Sequence, residues 1–175
     1  MIELERTFLI RYLPEGIGAC RKMVVKDVYF PKDAFHPVLR LRMDGSRFML
    51  TKKTPVKEGD SSVQREQTIE LTKSEFDALS KLEGKVLEKV RYFYDYRDRT
   101  AEIDVFKGAL EGLVLVDFEF GSKEEKDAFK MPDFCLVDVT QEDFIAGGLL
   151  AGKKYEDIKA SLEHLEYKKI VGKTD

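Results

Sequence analysis

The sequence predicts an α+β fold, with eight strands forming a largely antiparallel sheet or barrel and a few helices at its margins. Three observations lead there. Apolar and polar residues alternate with period two in eight runs rich in β-branched and aromatic side chains. Turn residues separate some of these runs at hairpin spacing. Helical patterns interrupt the series rather than alternating with every strand, which argues against a doubly wound parallel sheet.

In chain order the strands are expected near Ile2 to Ile10, Val24 to Phe30, Val38 to Met43, Arg47 to Lys53, Gln64 to Leu71, Val86 to Tyr94, Thr100 to Phe106 and Leu113 to Phe120. Asp44-Gly45-Ser46 and Arg97-Asp98-Arg99 supply hairpin turns. Thr72 has the character of an N-cap, with Glu75 completing a capping box before Phe76, Leu79 and Leu82. A second helix opens after Ser122, its acids Glu124 and Glu125 complementing the helix dipole, and Met131-Pro132 ends it. Two more helices are expected at Thr140 to Ala151 and Tyr155 to Tyr167. The organisation expected is one domain over residues 1–167, followed by a polar, frayed tail at 168–175.

Composition narrows the chemistry. The chain has 175 residues, with 30 Lys and Arg against 33 Asp and Glu, so a net charge of -3 gives no general attraction to nucleic acid or an acidic membrane. Any positive site must be local. Cys20 and Cys135 have no partner at metal-ligand or redox-motif spacing, which favours a reducing cytoplasm. The acidic start is unlike a signal peptide, and the apolar stretch from Phe144 to Gly152 falls short of the roughly 20 residues a membrane helix needs. With only His36 and His164 available, a multi-histidine zinc site is excluded, and neither histidine is assigned a role. Gly147-Gly148 lacks the Gly-Lys-Ser/Thr ending of a phosphate loop. Metal or phosphate chemistry must therefore use carboxylates, Lys and Arg.

The placement of charge within the strands is the informative feature. Residues two apart share a face of a strand. Glu3 and Glu5 share one with Thr7, as do Arg40 and Arg42, Lys89 and Arg91, Glu102 and Asp104, and Asp117 and Glu119. Any single pair fits the solvated face of an ordinary antiparallel sheet. In combination, with Leu39, Leu41, Val116 and Phe118 filling alternate positions, they fit a closed barrel with a charged interior and an apolar exterior. Cations there would hold a polyanion, and grouped carboxylates suit Mg²⁺ or Mn²⁺ rather than zinc or copper.

In that succession the chain resembles the CYTH domains, or triphosphate tunnel metalloenzymes. Ile2-Glu3-Leu4-Glu5-Arg6-Thr7-Phe8-Leu9 is similar to the family's opening acid-x-acid-x-Lys strand, and Arg40-Leu41-Arg42 to its paired-Arg strand. Leu50-Thr51-Lys52-Lys53 resembles the strand ending in a tunnel Lys, placed at Lys53 with Lys52 as the fallback. Glu88-Lys89-Val90-Arg91-Tyr92 resembles the Lys-x-Arg strand, and Glu102-Ile103-Asp104-Val105-Phe106 and Val116-Asp117-Phe118-Glu119-Phe120 the two acidic strands that follow.

The resemblance implies an eight-stranded antiparallel β-barrel, a triphosphate tunnel, hydrolysing inorganic triphosphate or a related organic triphosphate with Mg²⁺ or Mn²⁺. Glu3, Glu5 and Asp104 would be catalytic, and Glu3, Glu5, Asp104, Asp117 and Glu119 would bind metal. Arg40, Arg42, Lys53, Lys89 and Arg91 would hold the triphosphate or polyphosphate. Adenylate cyclase activity and a polyphosphate- or nucleotide-binding module are the alternatives, and a homodimer is left open. The chain departs from the family in having Thr7 where the motif has Lys, Asp117 where Glu is common, and Thr68 where another acid is usual, two residues after Glu66. Asp143, Phe144, Ile145 and Gly147 occupy the place of a basic closing helix.

Overall fold

The computed structural model describes residues 1–171. Eight antiparallel strands close into a barrel: β1 (Ile2–Ile10), β2 (Arg21–Phe30), β3 (Leu39–Asp44), β4 (Arg47–Pro55), β5 (Val63–Leu71), β6 (Lys85–Tyr96), β7 (Arg99–Phe106) and β8 (Val114–Phe120). The circuit runs β1-β8-β7-β6-β2-β3-β4-β5 and returns to β1. The two expected hairpins join β3 to β4 and β6 to β7. Their turns need left-handed backbone, with φ of 56° at both Gly45 and Arg97.

Closure is made by a divided edge. One edge of β1 pairs with β8 from Leu4 to Leu9. The other pairs with β5 over Ile2–Leu4 and with a short ninth strand, β9 (Cys135–Asp138), over Phe8–Ile10. β9 was not among the expected strands, because four residues without alternating polarity carry little signal.

The barrel inverts the usual arrangement of a small domain. Phe8, Ile10, Tyr92, Ile103, Val114, Val116 and Phe118 point outward and form a core with Phe134 and Cys135. Their alternate neighbours, including Glu5, Arg91, Asp104 and Asp117, line the interior. One end of the interior is apolar instead, where Leu9, Tyr29, Leu87, Phe106 and Leu115 meet Leu150 and the buried face of α4 (Tyr155–His164).

The helices are peripheral. α1 (Lys73–Leu79) carries the expected capping box, with Thr72 and Glu75 satisfying each other's main-chain N–H groups, and Phe76 stacks 4.8 Å from Phe48. α2 (Lys123–Ala128) stops before Met131-Pro132, since Phe129 is already extended.

The helix expected from Thr140 to Ala151 is corrected to a 3₁₀ turn at Asp143–Ile145 followed by the single turn α3 (Gly147–Leu150). The glycines serve close approach: a Cβ on Gly147 would lie 2.1 Å from the Tyr29 hydroxyl, and one on Gly148 would lie 2.1 Å from the Pro37 carbonyl oxygen. Part of the polar tail also departs from the fraying expected, because Ile170 N–H donates to Gly112 O at 3.0 Å, just beyond Tyr167, whose hydroxyl bridges Val114 N–H and Gly112 O. Residues 172–175 of that tail lie outside the described residues. Among the described residues no helix is long and apolar enough to cross a membrane.

Candidate active site

The barrel interior holds a cavity of about 430 Å³, within the usual size range of a ligand site. Period-two alternation brings Arg40, Arg42, Lys53, Lys89 and Arg91 into this lumen together with Glu3, Glu5, Asp104, Asp117 and Glu119. The sequence-predicted residues therefore share one space. Lys52 is exposed on the opposite face of β4, so Lys53 is the residue that enters.

Cations dominate the wall formed by β2, β3 and β6. Arg42 forks onto Asp27, with Nε to Oδ1 and Nη2 to Oδ2 both at 2.7 Å, and Asp27 is 1% exposed. Burial pushes Asp27 up, but Arg42 and then Arg40 outweigh it and hold the acid below the usual carboxylate range. Arg40 is left over. Its Nε lies 4.0 Å from Asp27 Oδ1 and is buried without a hydrogen-bond partner.

Across the next ladder Arg91 stands opposite Asp104, donating from Nε to Oδ1 at 2.7 Å and from Nη2 to Oδ2 at 2.6 Å. Lys89 Nζ also contacts Asp104 Oδ2, and Arg91 Nη1 contacts Glu102. Burial alone would raise Asp104, but Arg91 and Lys89 hold it far below its ordinary value. Asp104, expected from the sequence to be catalytic and to bind metal, is 1% exposed, and both of its oxygens are engaged by protein cations.

The wall formed by β1, β8 and β5 carries excess negative charge. Register sets Glu5 directly opposite Glu119, and Asp117 opposite Glu102 on its other side. Like charges so placed repel. Lys53 is their principal counter-ion, contacting Glu3 and lying 3.5 Å from Glu5 and 3.6 Å from Glu66. Glu3 Oε2 touches that ammonium without hydrogen-bond geometry and is otherwise unpartnered. Burial, with repulsion from Asp117 and Glu3 and despite Lys53, pushes Glu5 up to about 7. Glu119 is raised too, by burial and then by Glu102 and Glu3.

Among the described residues no group of three or more Asp, Glu, His or Cys side chains is already drawn together as a metal cage. The donor set nevertheless fits a hard cation: carboxylate oxygens are offered, one has no hydrogen bond, and repulsion of Glu5 by Asp117 and Glu3 would be relieved by positive charge. Thr7 points into the lumen and donates its hydroxyl to Asp117 Oδ1 at 2.7 Å. Arg6 faces outward and pairs with Asp138 at 2.6 Å.

Sequence reasoning missed Asp27. It is a lone acid in β2, and the clue was its register opposite Arg42. Glu66, given no role from the sequence, lies in the lumen opposite Lys53 and accepts a 2.8 Å hydrogen bond from Thr68.

The lumen is thus divided into a cationic and an acidic wall, an arrangement that can offer an anion one wall and a cation the other. The chain is 33% identical over 144 residues to an inorganic triphosphatase of Nitrosomonas europaea, covering 81% of this chain and 91% of that protein. It is 27% identical over 164 residues to an inorganic triphosphatase of Acetivibrio thermocellus, covering 90% and 97%. The crystal structure of the inorganic triphosphatase NE1496 superposes with a TM-score of 0.62 at 28% identity, over 86% of this chain and 95% of that one. No protein-family model matches. The chain belongs to the inorganic triphosphatase family.

Proposed function

We propose that the protein is a triphosphate tunnel metalloenzyme of the CYTH type, hydrolysing inorganic triphosphate with Mg²⁺ or Mn²⁺. The observation that carries this reading is the division of one lumen into two walls, with Arg40 Nε unpartnered on the first and a carboxylate surplus on the second. Arg40, Arg42, Lys89 and Arg91 bind the phosphate oxygens, with Arg40 the least committed of them to a protein acid. Lys53 lies at the acidic side and contacts the same anion from there. Glu3, Glu5, Asp117 and Glu119 hold the divalent ion, which when bound supplies positive charge to the phosphoryl oxygens.

The reaction needs positioning and charge stabilisation more than covalent chemistry. Water attacks the terminal phosphorus, the bridging P–O bond breaks, diphosphate leaves, and Glu3 or Glu5 on β1 accepts the water proton. Asp104 keeps Lys89 and Arg91 oriented for that anion.

The test is phosphate release from inorganic triphosphate, ATP, thiamine triphosphate and longer polyphosphate, each with Mg²⁺ and with Mn²⁺, alongside cyclic AMP. Preferred release from inorganic triphosphate, dependent on the metal, is expected. Cyclic AMP formation, or tight triphosphate binding without turnover, would replace the hydrolase reading.

A further inference from the structure

A gap separates the two partners on the divided edge of β1, since β5 covers Ile2–Leu4 and β9 covers Phe8–Ile10. Main-chain groups in the gap find partners outside those ladders. Glu5 N–H donates to Ser62 O at 3.1 Å, and Val139 N–H donates to Thr7 O at 2.9 Å. Thr7 N–H donates to a side chain, Thr140 Oγ1, at 3.0 Å. Thr140 passes its own proton to Asp138 Oδ1, which also accepts Thr140 N–H at 2.9 Å. Asp138 Oδ2 is gripped by Arg6, from Nε at 3.0 Å and Nη2 at 2.6 Å, and Arg6 is seated 5.0 Å over the Phe8 ring. The main chain at Thr7 is thus fixed by a chain of bonds that starts on the outside of the barrel.

Inside, the Thr7 hydroxyl has one proton to give and gives it to Asp117 Oδ1, its direct neighbour across the β1–β8 ladder. A donor on one oxygen sets the rotation of the carboxylate. It leaves Asp117 Oδ2 toward the lumen, where Arg91 Nη2 makes a long ion pair with it at 3.5 Å. A neutral hydroxyl achieves this without cancelling the charge, whereas an ammonium at the same place would do both.

We infer that Thr7 is a positioning residue for a divalent cation, aiming Asp117 without itself neutralising its charge, with Thr140, Asp138 and Arg6 holding Thr7 in place. The inference rests on the reading of Asp117 as a metal-binding acid. Its test is Mn²⁺ affinity of the folded protein, read from free Mn²⁺ by electron paramagnetic resonance and independent of any hydrolysis. Thr7→Val is expected to weaken Mn²⁺ binding about tenfold, the ratio that ~1.4 kcal/mol represents. Thr7→Ser, which keeps the hydroxyl, should stay within about twofold of wild type.

In a double-mutant cycle Thr7→Val should cost nothing further once Asp117 is changed to Asn, an outcome a purely structural role would not produce. Thr7→Ala takes its place in the cycle if the valine variant does not fold. Wild-type affinity in the variant, additive losses with Asp117→Asn, or a wild-type protein without Mn²⁺ affinity would each overturn the inference. A wild-type protein that binds Mn²⁺ and shows the expected cycle, yet releases no phosphate from triphosphate, would overturn only the hydrolase reading.

Discussion

The two walls of the lumen are built from the same residue types and reach opposite electrostatic states. On the wall of β2, β3, β6 and β7, Asp27 and Asp104 are each 1% exposed and forked by arginine, and both are held below the usual carboxylate range. On the wall of β1 and β8, Glu5 faces Glu119 and has been pushed up to about 7. The acids of the first wall are paired within the protein, and only Arg40 Nε is left without a hydrogen bond there. The second has charge left over, so it is where a cation from solution has most to offer. Strand register contributes to the difference: Asp27 and Asp104 each stand opposite an arginine, whereas Glu5, raised by burial and by Asp117 and Glu3, stands opposite Glu119.

Breaking the acid–cation pairs of the first wall should give the largest effect. Asp104→Asn leaves Lys89 and Arg91 buried beside a neutral group, and removing one member of a buried pair costs about 3–5 kcal/mol. For a chain of this length that lowers the melting temperature on the order of 10 °C, as scanning calorimetry would register.

Arg40 sharpens the contrast from within the same wall, because its Nε has no protein partner to strand. Arg40→Ala should leave the melting temperature within about 2 °C yet raise KM for triphosphate roughly 10- to 100-fold, the range expected for a hydrogen bond to a charged group. Steady-state kinetics at saturating metal would show it, and an unchanged KM would separate Arg40 from the anion.

The walls should also respond oppositely to pH. Glu5 has a folded-state value near 7 against an ordinary 4.5, so the folded protein holds a proton the unfolded chain has released, and metal-free stability falls as pH rises from about 4.5 to 7. Asp27 and Asp104 have lowered values, so their contribution is present above the ordinary 3.8 and is lost as pH falls through the folded values. Denaturant titrations across pH, with and without Glu5→Gln, would resolve the two slopes, and the variant should flatten the upper one. The smallest effect belongs to Lys52, which points outward: Lys52→Ala should change neither KM nor kcat, whereas a change would mean the β4 register is wrong.

Most of the barrel was legible in the sequence because its signal is local. All eight strands follow from period-two alternation, the same alternation paired ten charged residues on the inner face, and the family resemblance chose Lys53 rather than Lys52. What escaped depends on contacts far apart in the chain. The state of Asp104 is fixed by Arg91 across a ladder, and Asp27 is explained only by Arg42 beside it. β9 exists because β1 offers a half-open edge, and Thr7 meets Asp117 across 110 residues of chain. The stretch from Thr140 to Ala151 reads as a helix by composition, yet Gly147 and Gly148 are there to touch Tyr29 and Pro37.

The most direct test of the two-wall account is the melting temperature of metal-free wild type and Glu5→Gln at pH 8, each measured before and after adding Mn²⁺. The account predicts that Glu5→Gln melts several degrees higher without metal, since acid repulsion is relieved. It also predicts that Mn²⁺ raises wild type while leaving the variant nearly unmoved. A variant that melts lower than wild type, together with a wild type indifferent to Mn²⁺, would mean that the acidic wall is satisfied within the protein and that the central distinction is wrong.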